Sequence, residues 1–528
     1  MIMPSFRFWK PDDTEALPAE TMARKLGEQH FGGIILFSDN IVSPEQTSYF
    51  LRMVRKANSD TGGPAPYFFA IDQEGGQSSR LTGGTMMCGN MALGAANDES
   101  VVTETVLVLG SEISEVGFNV DFAPVLDVND NYSNPIIGIR SFSDDPEIVA
   151  RLGRSFIKAL HNQGIMAAAK HFPGHGNTAM DSHVGLPVVD KSLEELQKTE
   201  LVPFKAASDV TDMMMTAHIQ FPQIEKDTYV SKETGEKVFL PATLSKTIIS
   251  DVLRKDLGFD GVVVTDAMVM GAISRHFDPL DAARLAINAG VDLILMPMEL
   301  YSEASFNAMD GYIGAIVRMV EEGKIPESRI DESVGRILAL KEKYKGSDEH
   351  KWISDWRSHA PFRWRAAFKS VTLLKNRERT LPLTGKERVL VICPSVFARL
   401  SVEESVGMME RSGIISEDHV IDILMEGETE DVPEGYDVYV VISENKCNVR
   451  IPEGLGKTVF ISAELPYDTA SATDYDAVLA CYGYTGAINL CACFSALFGT
   501  FIPKGRLPVS VPGPDGNIVW PRGSKAKD

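Results

Sequence analysis

The chain has 528 residues, more than one hydrophobic core ordinarily supports, so two domains are expected. With 44% hydrophobic and 23% charged residues it reads as an ordinary soluble globular protein. A formal net charge of −22 argues against a nucleic acid or an anionic membrane as partner, because either needs a basic patch, and leaves small, neutral ligands. No run reaches the roughly 18 apolar residues that span a bilayer. Met1 leads into IMPSF with neither a basic nor an apolar leader region, so no signal peptide is read. The chain nonetheless starts inside a structural element, which leaves room for an upstream segment. Cys88, Cys393, Cys447, Cys481, Cys491 and Cys493 are too dispersed for a disulfide framework or a zinc ribbon. The CxC at Cys491 and Cys493 sits in an apolar stretch and reads as buried free thiols. A reducing, cytoplasmic location is expected.

Eight short apolar runs set the rhythm of the first two-thirds: 2–6, 33–37, 67–71, 118–122, 166–170, 212–216, 261–265 and 291–296. Segments of helical length separate them. Asp145 with Pro146 opens one that places Ile148, Val149, Leu152, Phe156, Ile157 and Leu160 on one face and stops at Gly164. Ser192 with Glu195 forms a capping box for another, and 243–257 is a third, closed by Gly258. This alternation predicts a (β/α)₈ TIM-type barrel over 1–345, with a doubly wound open sheet as the competing pattern. A barrel collects its chemistry where strands end, and polar residues stand there: Asp72 after the third run, Lys170 and His171 closing the fifth, His218 after the sixth, Asp266 after the seventh. A polar and aromatic stretch, 346–368, reads as a linker. Beyond it, β-rich runs at 389–392, 438–442, 459–462 and 477–480 predict a smaller α/β sandwich domain over 369–528. No GxGxxG follows its first strand, so neither a dinucleotide nor another cofactor is implied.

The stretch 166–187, MAAAKHFPGHGNTAMDSHVGLP, carries the densest chemistry: Lys170, His171, His175, Asp181 and His183. Imidazole changes charge near neutral pH, and three of them within a Gly-rich loop are poor packing material. Asp181 and His183 are two apart; a carboxylate on one ring nitrogen would fix the tautomer and leave the other to shuttle protons. A polar surface turn is the competing reading. The spacing of His171 and His175 would suit zinc on a helix, but Pro173 and Gly174 exclude the helix, so no metal is expected. Asp266, in GVVVTDAMVMGAI, has the common reading of a helix N-cap. At a barrel mouth beside cations it can instead attack an anomeric carbon, its pKa held low by those neighbours. Asp72, in FFAIDQEGGQSSRL, is placed to accept two sugar hydroxyls, with Glu74 as the competing carboxylate. Arg80 and Arg140 offer planar, forked donors, although either taken alone reads first as a salt-bridge residue.

DQEGG, DFAPVLDV followed by GIRSF, KHFPGHG with a downstream DSH, MTAHI and VVVTDAM occur in this order. Together they resemble the family 3 glycoside hydrolases, in their β-N-acetylglucosaminidase branch. SVTLLKN and LFGTFIPKGRLPVSVP resemble that family's C-terminal domain, so the resemblance covers almost the whole chain. It implies a retaining exo-acting enzyme that removes terminal N-acetylglucosamine from a small saccharide. On that basis Asp266 is the nucleophile that forms a covalent glycosyl-enzyme, His183 the general acid/base and Asp181 its partner. Asp72, Arg80, Arg140, Lys170 and His171 hold the sugar, Met268 lines the pocket, and His175 and His218 are structural or support the sugar-holding residues from behind. Gln77 departs from the arginine many relatives carry there. The resemblance leaves open phosphate in place of water as acceptor, a β-glucosidase or xylosidase activity, and a catalytically silent sugar-binding protein. A muropeptide, as in cell-wall recycling, a chitin fragment and a glycan all fit as substrate, and the oligomeric state is not legible.

Overall fold

The computed structural model describes the chain except residues 8–14, 65, 180, 183–184, 347–352, 417, 429–430, 446–448, 484–487 and 527–528. The eight expected strands are all present: β1 (Ile2–Phe6), β2 (Gly33–Ile35), β3 (Phe68–Ile71), β4 (Val120–Asp121), β5 (Met166–Phe172), β6 (Met213–Thr216), β7 (Val262–Thr265) and β8 (Ile294–Leu300). Strands β2 to β7 lie side by side in chain order as one parallel sheet, and β8 pairs in parallel with β1. Two seams close the cylinder. At one, Thr265 N–H donates to the Leu293 carbonyl at 3.0 Å; at the other, Gly32 N–H donates to the Ile2 carbonyl at 2.9 Å.

Period-two alternation decides which side chains fill the cylinder. Met3, Ile35, Phe68, Ala70, Phe122, Met166, Ala168, Met215 and Val264 belong to one buried cluster inside it. The residues between them, such as Ile34, Phe69, Ala167 and Val263, join the larger cluster formed with the surrounding helices. Those helices start where the sequence places caps. Asp145 accepts from Glu147 N–H at the head of Pro146–His161, and Ser192 and Glu195 form a reciprocal capping box at Leu193–Lys198. The segment expected as one helix over 243–257 is instead a short 3₁₀ turn, Ala242–Leu244, followed by a π-helix, Thr247–Asp256.

The second sheet has six strands: β9 (Thr372–Asn376), β10 (Val389–Cys393), β11 (Ile421–Met425), β12 (Val438–Ser443), β13 (Lys457–Ser462) and β14 (Ala477–Ala480). Their order is β9-β14-β13-β12-β10-β11, parallel except for β9, which runs antiparallel to β14. Cys491 and Cys493 lie in helix Ile488–Leu497, whose ten residues are all buried. Part of the stretch expected as an irregular linker forms a helix, Ala360–Ser370, with Pro361 in its first turn. Residues of the two sheets' loops meet directly: Gln77 Nε2 donates to Glu464 Oε1 at 2.8 Å, and Asn129 Nδ2 to the Tyr467 hydroxyl at 2.7 Å. Among the described residues, no helix is long and apolar enough to cross a membrane.

Candidate active site

A cavity of about 480 Å³, within the range of small-molecule sites, opens at the C-terminal ends of the barrel strands. Asp72, Glu74, Arg80, Arg140, Lys170, His171, His175, Ser182 and Asp266 all line it. The Lys170 ammonium, only 2% exposed, lies 2.6 Å from Asp72 Oδ1 and 2.7 Å from Glu74 Oε1. Arg140 grips Glu74 with two parallel bonds, Nη2 to Oε1 at 2.7 Å and Nε to Oε2 at 2.9 Å. Burial opposes ionisation of Glu74, but Arg140 and Lys170 outweigh it and hold the carboxyl far below the usual range. Burial likewise opposes the charge on Lys170, and Asp72 and Glu74 hold it above its ordinary value. This separates the two carboxylates that the sequence left in competition. Glu74 is saturated by its cations, whereas Asp72, with 18% of its side chain exposed, has oxygen left for a ligand.

The hairpin after β3 brings Arg80 into the wall. Gln73 N–H donates to Asp121 at 2.9 Å, and the Gln73 amide oxygen accepts from the backbone of Arg80 at 2.8 Å and Leu81 at 3.2 Å. Arg80 Nε is buried without a hydrogen-bond partner, a donor that a bound ligand can satisfy.

Asp127 organises the histidines. Its Oδ2 accepts from His171 Nδ1 at 2.7 Å, and its Oδ1 from the backbone N–H of His171 at 3.2 Å and of His175 at 2.7 Å. Burial works against the Asp127 carboxylate, and His171 overcomes it to hold the pKa below normal. Because a carboxylate only accepts, His171 carries a proton on Nδ1 and turns Nε2 outward. Gly176, in the same loop, has no room for a side chain: a Cβ there would lie 1.7 Å from the Val128 carbonyl oxygen.

Asp266 directly follows β7. Its Oδ1 accepts from Ala267 N–H at 2.7 Å, and no ion pair to it is found among the described residues. Burial would raise its pKa; the fields of His171 and His218, the Ala267 N–H and Lys170 outweigh burial and lower it. His218 Nε2 donates to the Ala267 carbonyl at 3.0 Å while Nδ1 meets Thr243 Oγ1 at 2.8 Å, so it braces the turn that carries Asp266.

Of the residues expected from the sequence, Asp72, Arg80, Arg140, Lys170, His171 and Asp266 thus surround one cavity. Met268 is elsewhere: it is 6% exposed in the main core cluster, and its N–H donates to the Leu295 carbonyl at 3.0 Å. The strand ends at Thr265, so alternation no longer holds two residues past Asp266, and Val269 and Met270 line the cavity instead. Asp181 is half-buried, outside the cavity's described lining, and His183 lies outside the described residues. Asp127 and Ser182 were not singled out by residue type. The signal for Asp127 was its place at the end of DFAPVLD, after an apolar run.

Residues 3–340 match the glycosyl hydrolase family 3 N-terminal domain. A β-hexosaminidase A of Pseudoalteromonas piscicida is 34% identical over 410 residues, 75% of this chain and 68% of its own length. A Cellulomonas fimi protein described as a β-N-acetylglucosaminidase/β-glucosidase is 28% identical over 488 residues, 84% of this chain and 83% of its own. Among solved structures, a glycoside hydrolase family 3 β-N-acetylglucosaminidase from Paenibacillus sp. str. FPU-7 superposes with a TM-score of 0.76 at 31% identity, over 96% of this chain and 97% of that one.

Proposed function

The chain belongs to glycosyl hydrolase family 3, and on that premise we propose that it is a retaining exo-β-N-acetylglucosaminidase with Asp266 as nucleophile and His183 as acid/base. The terminal sugar sits in the cavity with its hydroxyls donating to Asp72 and its acceptor oxygens facing Arg80 and Lys170. In the first step an Asp266 oxygen bonds to the anomeric carbon as the glycosidic bond breaks, and the departing oxygen takes a proton from His183. In the second step His183 takes a proton from water, the water oxygen bonds to the same carbon, and Asp266 leaves as a carboxylate. Two inversions retain the β configuration.

The observation that carries this reading is the state of Asp266. It stands at a strand's C-terminal end on the cavity wall, is kept ionised by the fields of its neighbours, and has no cation bonded to it among the described residues. An anion so placed is available to an electrophilic carbon and departs readily afterwards. Trapping tests it: a fluorinated glycosyl fluoride should leave a sugar on the peptide containing Asp266, read by mass spectrometry. An unlabelled Asp266 in an inactivated enzyme would refute the assignment. Aryl β-N-acetylglucosaminide should be cleaved much faster than aryl β-glucoside, with water as acceptor. A phosphate requirement in the same assay would recast the enzyme as a phosphorylase.

A further inference from the structure

We infer that Met296 makes the enzyme select an N-acetylated sugar: its side chain, together with Val269 and Met270, walls the space beside Asp266 that takes the methyl of a 2-acetamido group. This rests on the reading of the cavity as the seat of a terminal N-acetylglucosamine with Asp266 as nucleophile.

The cavity wall is unlike on its two sides. The strands and loops from β3 to β5 supply Asp72, Arg80, Arg140, Lys170 and His171, all charged or hydrogen-bonding. The segment after β7 and β8 itself supply Val269, Met270, Leu295 and Met296, all apolar. Those two segments are stitched together around the nucleophile. Leu295 N–H donates to Thr265 Oγ1 at 2.9 Å, and the Leu295 carbonyl accepts from Met268 N–H at 3.0 Å. Asp266 lies between Thr265 and Met268 in the chain, so the apolar side begins next to it. In N-acetylglucosamine C2 is bonded to the anomeric carbon that Asp266 attacks, so the 2-acetamido group lies close to Asp266 as well. Its methyl has no use for a hydrogen bond and gains from burial against apolar side chains, whereas the ring hydroxyls need the polar side.

Met296 is held in the wall by an irregular backbone. Strands β1 and β8 pair at Met3 with Leu295 and again at Ser5 with Glu299, which leaves Pro4 alone opposite Met296, Pro297 and Met298. Pro4 has no N–H to donate, so the bulge forms where β1 lacks a ladder donor. Met296 takes up part of the surplus at φ +47°, in the left-handed region that favours glycine and penalises a residue with a Cβ. A strained strand residue whose side chain lines a cavity points to a use for that side chain. Met296 is half-buried and packs on the apolar cluster inside the barrel, so its thioether is backed by the core and open to the cavity. A flexible, polarisable side chain of this kind moulds to a methyl and offers little to a hydroxyl.

Substrate ratios test this. On nitrophenyl glycosides, Met296→Gly should lower kcat/KM for the N-acetylglucosaminide roughly tenfold and for the glucoside less than about twofold, shrinking the preference between them. The room left should admit a 2-butanamido sugar, raising its rate relative to the acetamido sugar about tenfold over the wild-type ratio. Each ratio compares two substrates on one enzyme sample, so neither depends on how much of the variant is folded, and glycine suits the backbone at this position. Loss on neither sugar, equal loss on both, or a butanamido ratio unchanged from wild type would overturn the role of Met296. The wild type separates two failures. If it cleaves the glucoside as well as the N-acetylglucosaminide, the substrate reading falls and takes the wall with it; if it prefers the N-acetylglucosaminide and Met296→Gly keeps that preference in full, only the wall falls.

Discussion

The buried carboxylates Asp292 and Asp212, at the barrel's N-terminal end, and Asp266, at its C-terminal end, are treated in opposite ways. At the N-terminal end, Asp292 receives Arg254 at 2.6 Å, Arg336 at 3.2 Å, Ser333 at 2.8 Å and Val263 N–H at 2.9 Å. Asp212, at the same end, receives Lys343 and His161 at 2.7 Å each and the Tyr344 hydroxyl at 2.9 Å. Each has its lone pairs filled by groups from several elements, which ties strands to the flanking helices. At the C-terminal end, among the described residues, Ala267 N–H alone donates to Asp266, and the charge of that carboxylate is sustained by neighbours that act at a distance. A saturated carboxylate holds the scaffold together, and one left with free lone pairs beside cations is equipped for chemistry.

Exchanging the charges at the two ends is the sharpest way to break this contrast. Asp266→Asn should cut turnover roughly 10⁴-fold or more, since the amide neither attacks nor leaves. Thermal unfolding should change far less, because among the described residues no cation is bonded to Asp266 and so none loses a partner. Asp292→Ala should do the reverse. Removing one member of a buried ionic cluster typically costs about 3–5 kcal/mol, visible as a lower denaturation midpoint, while kcat/KM per folded molecule holds. If Asp292→Ala lost activity without stability, the division of labour between the ends would be wrong.

Acid should reveal a smaller asymmetry on the catalytic side itself. His175 is pushed down from the ordinary 6.5 to about 4 by burial and by His171. Above pH 6.5 the ring is neutral whether the chain is folded or unfolded, so its contribution is fully present. Between 6.5 and about 4 the unfolded chain binds a proton that the folded chain refuses, and stability drains away as pH falls. Asp127, held below its ordinary 3.8, adds its own loss only at still lower pH. Melting temperatures from pH 7 to 4 should therefore fall more steeply for the wild type than for His175→Leu. Parallel curves would mean that His175 accepts a proton in the folded state.

How much of this was legible depends on what surrounds each residue. The barrel strands were readable because they are buried on both faces and so appear as unbroken apolar runs. Strand β5 was read as ending at Lys170, yet it continues through His171 and Phe172, because ion pairs inside the barrel replace apolar burial there. Strands β9 and β11 gave no comparable signal: both are only partly buried, at the two edges of their sheet, so their composition is mixed. Six of the cavity-lining residues were legible because they follow a strand end or sit in a motif. Asp127 escaped because it comes several residues after the two-residue strand β4, and its importance lies in three donors that converge only in space.

Met268 offers the finest test of the same boundary between scaffold and site. Two residues past Asp266, it would face the sugar if β7 continued, but the chain has already left the strand and the side chain points into the core. Met268→Leu conserves volume and should cost under about 1.5 kcal/mol, with KM unchanged. Met270→Ala, which removes a group from the cavity wall, should raise KM a few-fold with little change in kcat, the mark of contact made equally in ground and transition states. The converse result, KM moving with residue 268 and not with 270, would return Met268 to the sugar and require β7 to extend past Asp266 when substrate is bound.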